Sequence, residues 1–578
     1  MLHFLKARLR ALTYHSIILK LITALAAASL VEVLSSPYMF TEIQYFTDMR
    51  VGLYFLLTFS MFVLLALTVP AGFDGYVLLP VLTVLFIITN AQAESMHYAI
   101  VTSLVIGGFI FFLADRMRAP ALGKKCTVLL CALFGILLAL FIAVFTILPY
   151  LLHRTPNFDF GIFSQMYHYM AKTGIPYTTC ERDMLLSHFA VHFSPILYLA
   201  LPFYMIFPHP TTLLAVQALA VASSVFPLYK LAKHFGLSNS KTVAVALMFI
   251  LHPTVIANNF YYFHENCFLT VLLLWMFYFA ETKKPVPMYI FAVLTMAVKE
   301  DAPIYVLFFA LYLLFSNKSK RHGSILGALS CIYFGVVTHL MSVYGNGIMS
   351  NRYDQFIFEK DGSIYSVILN ILKNPSYLFT QILSAEKMTF LILMLVPMAL
   401  LPFAIRKPSA IILLFPMVLM NLMPSWQYQY DISFQYTYGT VAFLFYLTVM
   451  NLGALHRTHA KKLLLCGVSA SLFFFSAVNY SKTDKIEQYT LEKPYAAAIT
   501  EAIAVIPEDA SVCASTFLVP ALWNRDVVYD YKYSDKETDY VVLDLRWGSD
   551  DFYEFQANNP DYKIVLFHAK TIAIFQKE

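Results

Sequence analysis

Charge is what this chain has least of. Only 13% of its 578 residues are Asp, Glu, Lys or Arg, while 59% are hydrophobic. Soluble domains carry about 25% charged residues, so a solvated globular surface is excluded. The seven cysteines are scattered without a C-x-x-C pair, which argues against a disulfide framework or a zinc ribbon. The net charge of +5 is too small to point to a nucleic-acid partner, and none is expected. No Walker loop, dinucleotide fingerprint or G-x-S-x-G stands in a fitting context, so no nucleotide-driven engine is expected. No internal repeat is evident.

What is present is apolar sequence, with a mean hydropathy of +0.66, broken into runs near twenty residues. That pattern predicts an all-α polytopic membrane protein, because only a helix satisfies its own backbone in lipid over such a length. The aromatic share is 16%, with 51 Phe and 38 Tyr, and some of these rings belong at the membrane interfaces. Spans are expected from Ser16, Val51, Gly75, His97 and Cys126. More are expected from Thr211, Lys241, Asn266, Pro287, Ala302, Ser324, Lys387, Pro408, Tyr436 and Lys461, roughly fifteen in all. The first run follows Lys6, Arg8 and Arg10 and ends in small residues, Ala24 to Ser29, that imitate a signal-peptidase site. Its length and the span close behind it favour retention as a first helix.

Basic residues recur on alternate loops, among them Arg116/Arg118, Lys283/Lys284, Lys318/Lys320 and Arg457/Lys461. The positive-inside rule makes that face cytoplasmic, together with the N-terminus. Alternation then requires the proline-bounded segment Pro195 to Pro208 to lie at the interface rather than span. The extracytoplasmic face receives the loop 153–210, Asn258 to Asn266, Lys299 to Asp301, and the loop from Tyr344 to Glu386. It also receives the tail from about Asn479, where charge density rises. There VVLDLRW, KIVLF and TIAIFQ read as short buried strands, and YAAAITEAIAVIP as a helix ended by Pro507. The organisation expected is a membrane extension (1–120), a helical core (121–478) and a small extracytoplasmic α/β domain (479–578).

The stretch from Arg154 to Pro195 is the first long interval where ionisable and aromatic residues replace apolar sequence. Asp159 is its leading candidate. Flanked by Phe158, Phe160 and Phe163, its carboxylate would be partly desolvated, which raises proton affinity and suits a general base. A cap on a helix from Gly161 to Lys172 is the alternative, and on the residue alone the commoner outcome. His188 and His192 lie four apart, on one face if helical, and are the candidate ligands for a divalent metal ion. They lack the Glu of H-E-x-x-H, and histidines bonded to carbonyls or headgroups are the plainer alternative. His264-Glu265 lies in a loop between spans. Lys299-Glu300-Asp301 is a run of charge that is costly near a membrane and faces either a cavity or solvent at a turn. There Lys299 would hold a phosphate. Gln165, Gln217 and Arg352 are weaker candidates. The tract Trp426 to Asp431 would contact a sugar ring or, more commonly, form an interfacial belt.

Several segments carry a resemblance. FDFGIFSQ, HFAVHFSPILYLALPFYMIFP, LLAVQALAVASSVFPLYKLAKHFGLS, FHEN and VKED, with the tail IPEDASVCASTFLVPALWNRDVVY and TDYVVLDLR, resemble in order the prokaryotic membrane-protein family called domain of unknown function 2079. The likeness runs from about Cys126 to the C-terminus. That family is grouped with the GT-C glycosyltransferases, which take a sugar from a polyprenyl-phosphate carrier. The resemblance implies a GT-C-like helical core in a bacterial plasma or inner membrane. The partners it implies are a polyprenyl-phosphate-linked sugar, membrane lipids and a glycan, lipid or protein acceptor. It places Asp159 at the essential acidic position of the first outer loop. Where the family often reads Asp-Phe-His, this chain reads Tyr262-Phe263-His264 and then Glu265. An inverting transferase follows, with Asp159 as base and Arg182, Lys299 or a divalent cation steadying the leaving phosphate. Gln165, His264, Glu265, Glu300 and Asp301 are the further substrate contacts expected. A transporter or lipid flippase, and a non-catalytic protein with a GT-C-like fold, are the rival expectations.

Overall fold

The computed structural model describes residues 12–118, 120–347, 350–359 and 364–578. Lys6, Arg8 and Arg10, expected to flank the first span, lie outside them. The architecture is a helical membrane bundle with a small sheet at its C-terminal end. Among the described residues nine helices are long and apolar enough to cross a membrane, or up to eleven if two bent pairs count as single spans.

This is fewer than the roughly fifteen runs that hydropathy alone marks out. The missing ones exist as helices but are short. Cys267–Glu281 has 15 residues and Pro285–Met296 has 12, which at about 1.5 Å per residue falls short of a hydrocarbon core near 30 Å. Prolines set these lengths, since Pro253, Pro285, Pro303 and Pro408 each open an element, where the missing N–H costs nothing. Asn239–Leu251 and Pro253–Tyr261 meet at 50°, and Pro375–Ile382 and Ala385–Met398 at 73°. The segment after Pro195 makes only short turns and the six-residue helix Leu201–Ile206. It exposes Phe203, Met205, Ile206 and Phe207, an apolar face suited to an interfacial position.

The helices Tyr14–Ser35, Val51–Thr68, Asp74–Ala93 and Met96–Leu113 form the N-terminal extension. Their outward faces carry Phe55, Leu56, Phe59 and Leu104, all more than half exposed, as a lipid-facing surface requires. Inside it, Lys20 and Asp74 pair with each other, both buried, the usual way a charge is tolerated at that depth. This extension packs against the helix Arg457–Asn479 through Phe473, Phe474 and Ala477. At the centre of the main bundle, Tyr438–Ala454 is buried on nearly every side. In lipid no hydrophobic force draws helices together, so contact rests on close packing at small residues. Gly439 is one such point: a Cβ there would run into the Tyr305 ring.

The C-terminal region begins with the helix Lys485–Ile503. Strands β1 (Tyr177–Thr178) and β2 (Leu186–Ser187) form a hairpin in the loop. The five-stranded sheet comprises β3 (Val512–Ala514), β4 (Val528–Asp530), β5 (Tyr540–Asp544), β6 (Tyr562–His568) and β7 (Ile572–Lys577), in the order β4-β3-β5-β7-β6. The strands β5, β6 and β7 fall on the three apolar runs. Of these, β5 and β7 are buried as expected, whereas β6, at the sheet edge, leaves Ile564, Val565 and Phe567 exposed. The three-residue β3 and β4 carry no periodic signal, yet they pair parallel with each other, and β3 with β5.

The sheet is bonded to the polar loop. Arg546 donates to the carbonyls of Leu152 and His153 at 2.8 and 2.6 Å. The Thr179 hydroxyl donates to the Val528 carbonyl at 2.6 Å and accepts from the Val528 N–H at 3.0 Å. Arg154 holds Glu492 through two bonds of 2.8 and 2.7 Å.

Candidate functional site

The long helix Lys124–Leu151 ends at Leu152, and the chain turns through Asn157–Gly161 into the helix Ile162–Thr173. That second helix has no side-chain cap. Asp159 is therefore not a helix-tying residue, and its carboxylate instead lines a cavity of about 650 Å³. His188, His192 and Arg182 come to the same cavity from the rest of the loop. Tyr261 and His264 come from the end of the bent span, and Lys299 from the turn after Pro285–Met296.

These residues form a chain of contacts that no local pattern contains. Asp159 Oδ2 lies 3.7 Å from His264 Nε2, and His264 Nδ1 lies 3.1 Å from Glu265 Oε2. The other Glu265 oxygen lies 3.1 Å from Lys299 Nζ. Glu265 has no exposed side-chain surface and sits behind His264 and Lys299. Gln217 supports the arrangement, its side-chain oxygen accepting from the His264 N–H at 3.1 Å. A second pair of contacts flanks the first. His188 Nδ1 lies 2.9 Å from Glu181 Oε2, and His192 Nδ1 lies 2.9 Å from Glu300 Oε1.

Burial and charge tune these groups in different directions. Burial pushes Asp159 up to about 6; the Glu265 and Glu181 carboxylates add to this, and Lys299 and His188 oppose it. Burial also works against charge on Glu265, but Lys299 and then His188 outweigh it and hold this carboxyl below its usual range. Lys299 is kept protonated, since Glu265 and Glu300 overcome the burial that would lower it. His188 is likewise raised despite burial, because Glu181 faces it. Burial and then Lys299 hold His192 and His264 well below the ordinary imidazole range, so both are neutral. The result is a carboxyl of raised proton affinity beside a fixed cation, the kind of divergence that suits acid–base work.

The donor set does not fit the divalent metal ion that the His188/His192 spacing suggested. Among the described residues no group of three or more His, Cys, Asp or Glu side chains could hold a metal. The two histidines lie in and just after a short turn, His188–Ala190, rather than along one helix face. Each is already occupied by its own carboxylate.

Other expected contacts are placed differently. Gln165 is outside the cavity and spends its amide on structure. It accepts from the Thr178 hydroxyl and the Thr179 N–H, both at 2.8 Å, and donates to the Arg525 carbonyl at 3.1 Å. Glu300 and Asp301 line a neighbouring chamber of about 230 Å³. It shares His192, Lys299 and Arg352 with the first cavity, and its remaining wall is mostly apolar, including Ile304, Phe334, Ile368 and Leu419. Arg352 lies over the Tyr436 ring, 5.2 Å from its centroid.

The aromatic wall was only partly legible. Trp426 and Tyr428, in the tract read chiefly as an interfacial belt, line the cavity with Phe434 and Tyr436. Tyr533 reaches it from the C-terminal region and packs edge-on against Phe158, with centroids 5.2 Å apart. A lone Tyr in a polar loop offers no signal that would have singled it out.

Fold and site together define a polytopic helical membrane protein in which several ionisable residues of distant segments converge on one chamber. Residues 149–563 match the model of the family described as Predicted membrane protein (DUF2079), and the chain belongs to that family. The N-terminal extension lies outside the match. No curated protein matches the chain.

Proposed function

We propose that the protein is a GT-C-type glycosyltransferase that moves a sugar from a polyprenyl-phosphate donor to an acceptor on the extracytoplasmic side of a bacterial cell membrane. The acceptor is a glycan, a lipid or a protein. The observation that carries this reading is the position of Asp159. Its carboxyl, raised to about 6, faces a chamber that also presents Lys299, Arg182, Arg352 and several aromatic rings, beside an apolar chamber.

The roles follow from charge. An acceptor hydroxyl beside Asp159 gives its proton to that carboxylate as its oxygen bonds to the anomeric carbon. The bond from that carbon to the phosphate oxygen breaks on the opposite side, and the lipid phosphate leaves with the electron pair, so configuration inverts. Lys299, Arg182 and Arg352 supply positive charge where the phosphate charge develops, and positions fixed before the reaction make that help effective. Glu265 keeps Lys299 charged and in place. The Ile304–Leu419 chamber suits the first apolar units of the carrier. No step passes through a metal.

Purified protein given labelled polyprenyl-phosphate sugars tests the reading. Transfer that disappears in Asp159→Asn, at unchanged membrane expression, supports it, and full transfer in that variant defeats it. The two bent spans also suit a transporter, whose binding helices are characteristically broken. Movement of the labelled carrier across vesicles without transfer would favour that second reading.

A further inference from the structure

The C-terminal sheet contains a second cavity that the proposed reaction does not use. It has a volume of about 490 Å³ and lies outside the carboxyl ends of the three parallel strands β4, β3 and β5. From β3 the chain goes to β4 on one side and then crosses to β5 on the other. The connections therefore diverge between β3 and β5. In open α/β sheets this is where the loops part and leave a ligand crevice. Ser515, just after β3, and Asp544, at the end of β5, both line it. The Ser515 hydroxyl accepts from the Asp544 N–H at 3.0 Å, which closes the floor.

The lining selects among ligands. Phe517, Tyr531 and Trp547 supply ring surface, and Lys532, Asp550 and Asp551 supply charge of both signs. A cationic ligand is poorly served. Asp544 is already neutralised by Arg546 through bonds of 2.8 and 2.6 Å. The Trp547 ring already has the Arg154 guanidinium 4.9 Å from its centroid, and Lys532 adds a further positive charge. An anion would meet Asp550 and Asp551. A neutral polyhydroxylated ring suits the whole set: hydroxyls donate to the two carboxylates and accept from Lys532, and its C–H faces lie against the aromatic rings. We propose that this crevice binds a neutral saccharide.

The crevice stands apart from the Asp159 chamber but communicates with it through one short run of chain. Tyr531 and Lys532 line the crevice, and the next residue, Tyr533, lines the chamber and touches Phe158. A saccharide held here would lie beside the proposed reaction site. The binding inference rests on the crevice alone and does not need the transferase reading to hold.

The test uses the full chain in detergent. Maltotetraose, mannotetraose, galactotetraose and chitotetraose are titrated separately, with saturation-transfer NMR and tryptophan fluorescence as readouts. Trp547, Asp550 and Asp551 are all exposed, so substitutions there leave the sheet core intact. The expected result is saturable binding of at least one probe at millimolar concentration or below. Trp547→Ala and Asp551→Asn should each weaken it by about 10-fold or more, the scale of a lost stacking surface or charge-assisted hydrogen bond. Several results would overturn the proposal. One is no saturable binding of any probe, and another is binding that both variants leave unchanged. Displacement of the bound saccharide by choline or inorganic phosphate would show a site built for charge instead. Binding that survives Trp547→Ala but is lost in Tyr436→Ala would place the saccharide in the Asp159 chamber.

Discussion

Removing the carboxylate of Glu265 should unbalance the site strongly. Glu265 and Lys299 are 3.1 Å apart, with side-chain exposures of 0% and 3%. At an effective dielectric near 20 a pair at that distance attracts by about 5 kcal/mol. Taking one partner away from a buried pair typically costs about 3–5 kcal/mol, because the other charge stays in place without compensation. Glu265→Gln keeps the volume and removes the charge, so the loss it produces is electrostatic. Glu300 and Asp301 lie beside Lys299 in sequence and soften the effect without replacing the contact. The double variant Glu265→Gln/Lys299→Met removes both charges of this pair and should recover part of the stability lost in the single variant. Reversible unfolding in mixed SDS–detergent micelles, run as a double-mutant cycle, measures this directly. If Glu265→Gln loses under about 1 kcal/mol, as an exposed pair would, or if the two substitutions simply add, the reasoning fails.

The remaining predictions concern the same chamber and the packing around it. A base of raised proton affinity must be ionised to work, so transfer should fall about tenfold per pH unit below the Asp159 value of about 6. Because Glu265 is one of the charges that raises that value, the acid limb should move to lower pH in Glu265→Gln; a limb that stays in place would show that another group controls it. Protonation has the opposite sign for stability. The carboxyl titrates higher when folded than its ordinary value, so its contribution is full at low pH and is lost as pH rises through about 6. Asp159→Asn, neutral throughout, should flatten that part of the stability–pH curve measured in the same micelles. Gly439→Ala puts a methyl group against the Tyr305 ring and should cost about 1–3 kcal/mol through overpacking, seen as a lower thermal midpoint by fluorescence-detected size exclusion. Gln165→Leu strands the Thr178 and Thr179 donors and the Arg525 carbonyl. It should cost about 1–3 kcal/mol and expose the C-terminal region to limited proteolysis, with no change in occupancy of the Asp159 chamber by donor.

How much could be seen in advance depended on distance along the chain. The apolar runs, the polar loop after Leu152, and β5, β6 and β7 are local features, and composition over ten to twenty residues was enough to find them. Asp159 was a candidate for a local reason too, a carboxylate among three phenylalanines just beyond a long apolar run. On that ground a helix cap was the commoner outcome, and only the family resemblance favoured Asp159 as a base. Whether it capped a helix or faced a cavity was not local. That depended on how the Asn157–Gly161 turn aims the side chain and on His264, which lies over a hundred residues away. The Trp426 tract shows the same limit from the other side, since an interfacial belt and a cavity wall use the same rings.

By itself, then, the amino-acid order determined that the chain belongs in a membrane as many helices, and that it ends in a region with sheet structure. Hydropathy and period act residue by residue, so no folding is needed to read them. The tertiary structure alone decided the bends, 50° after Leu251 and 73° after Ile382, because the angle at a break depends on what packs against it. It alone brought Asp159, His264, Glu265 and Lys299 into one line of contacts, and it assigned His188 and His192 to separate carboxylates rather than to a shared metal. Charges in a low-dielectric interior take their state from whatever lies within a few ångströms, and only the folded chain determines those neighbours.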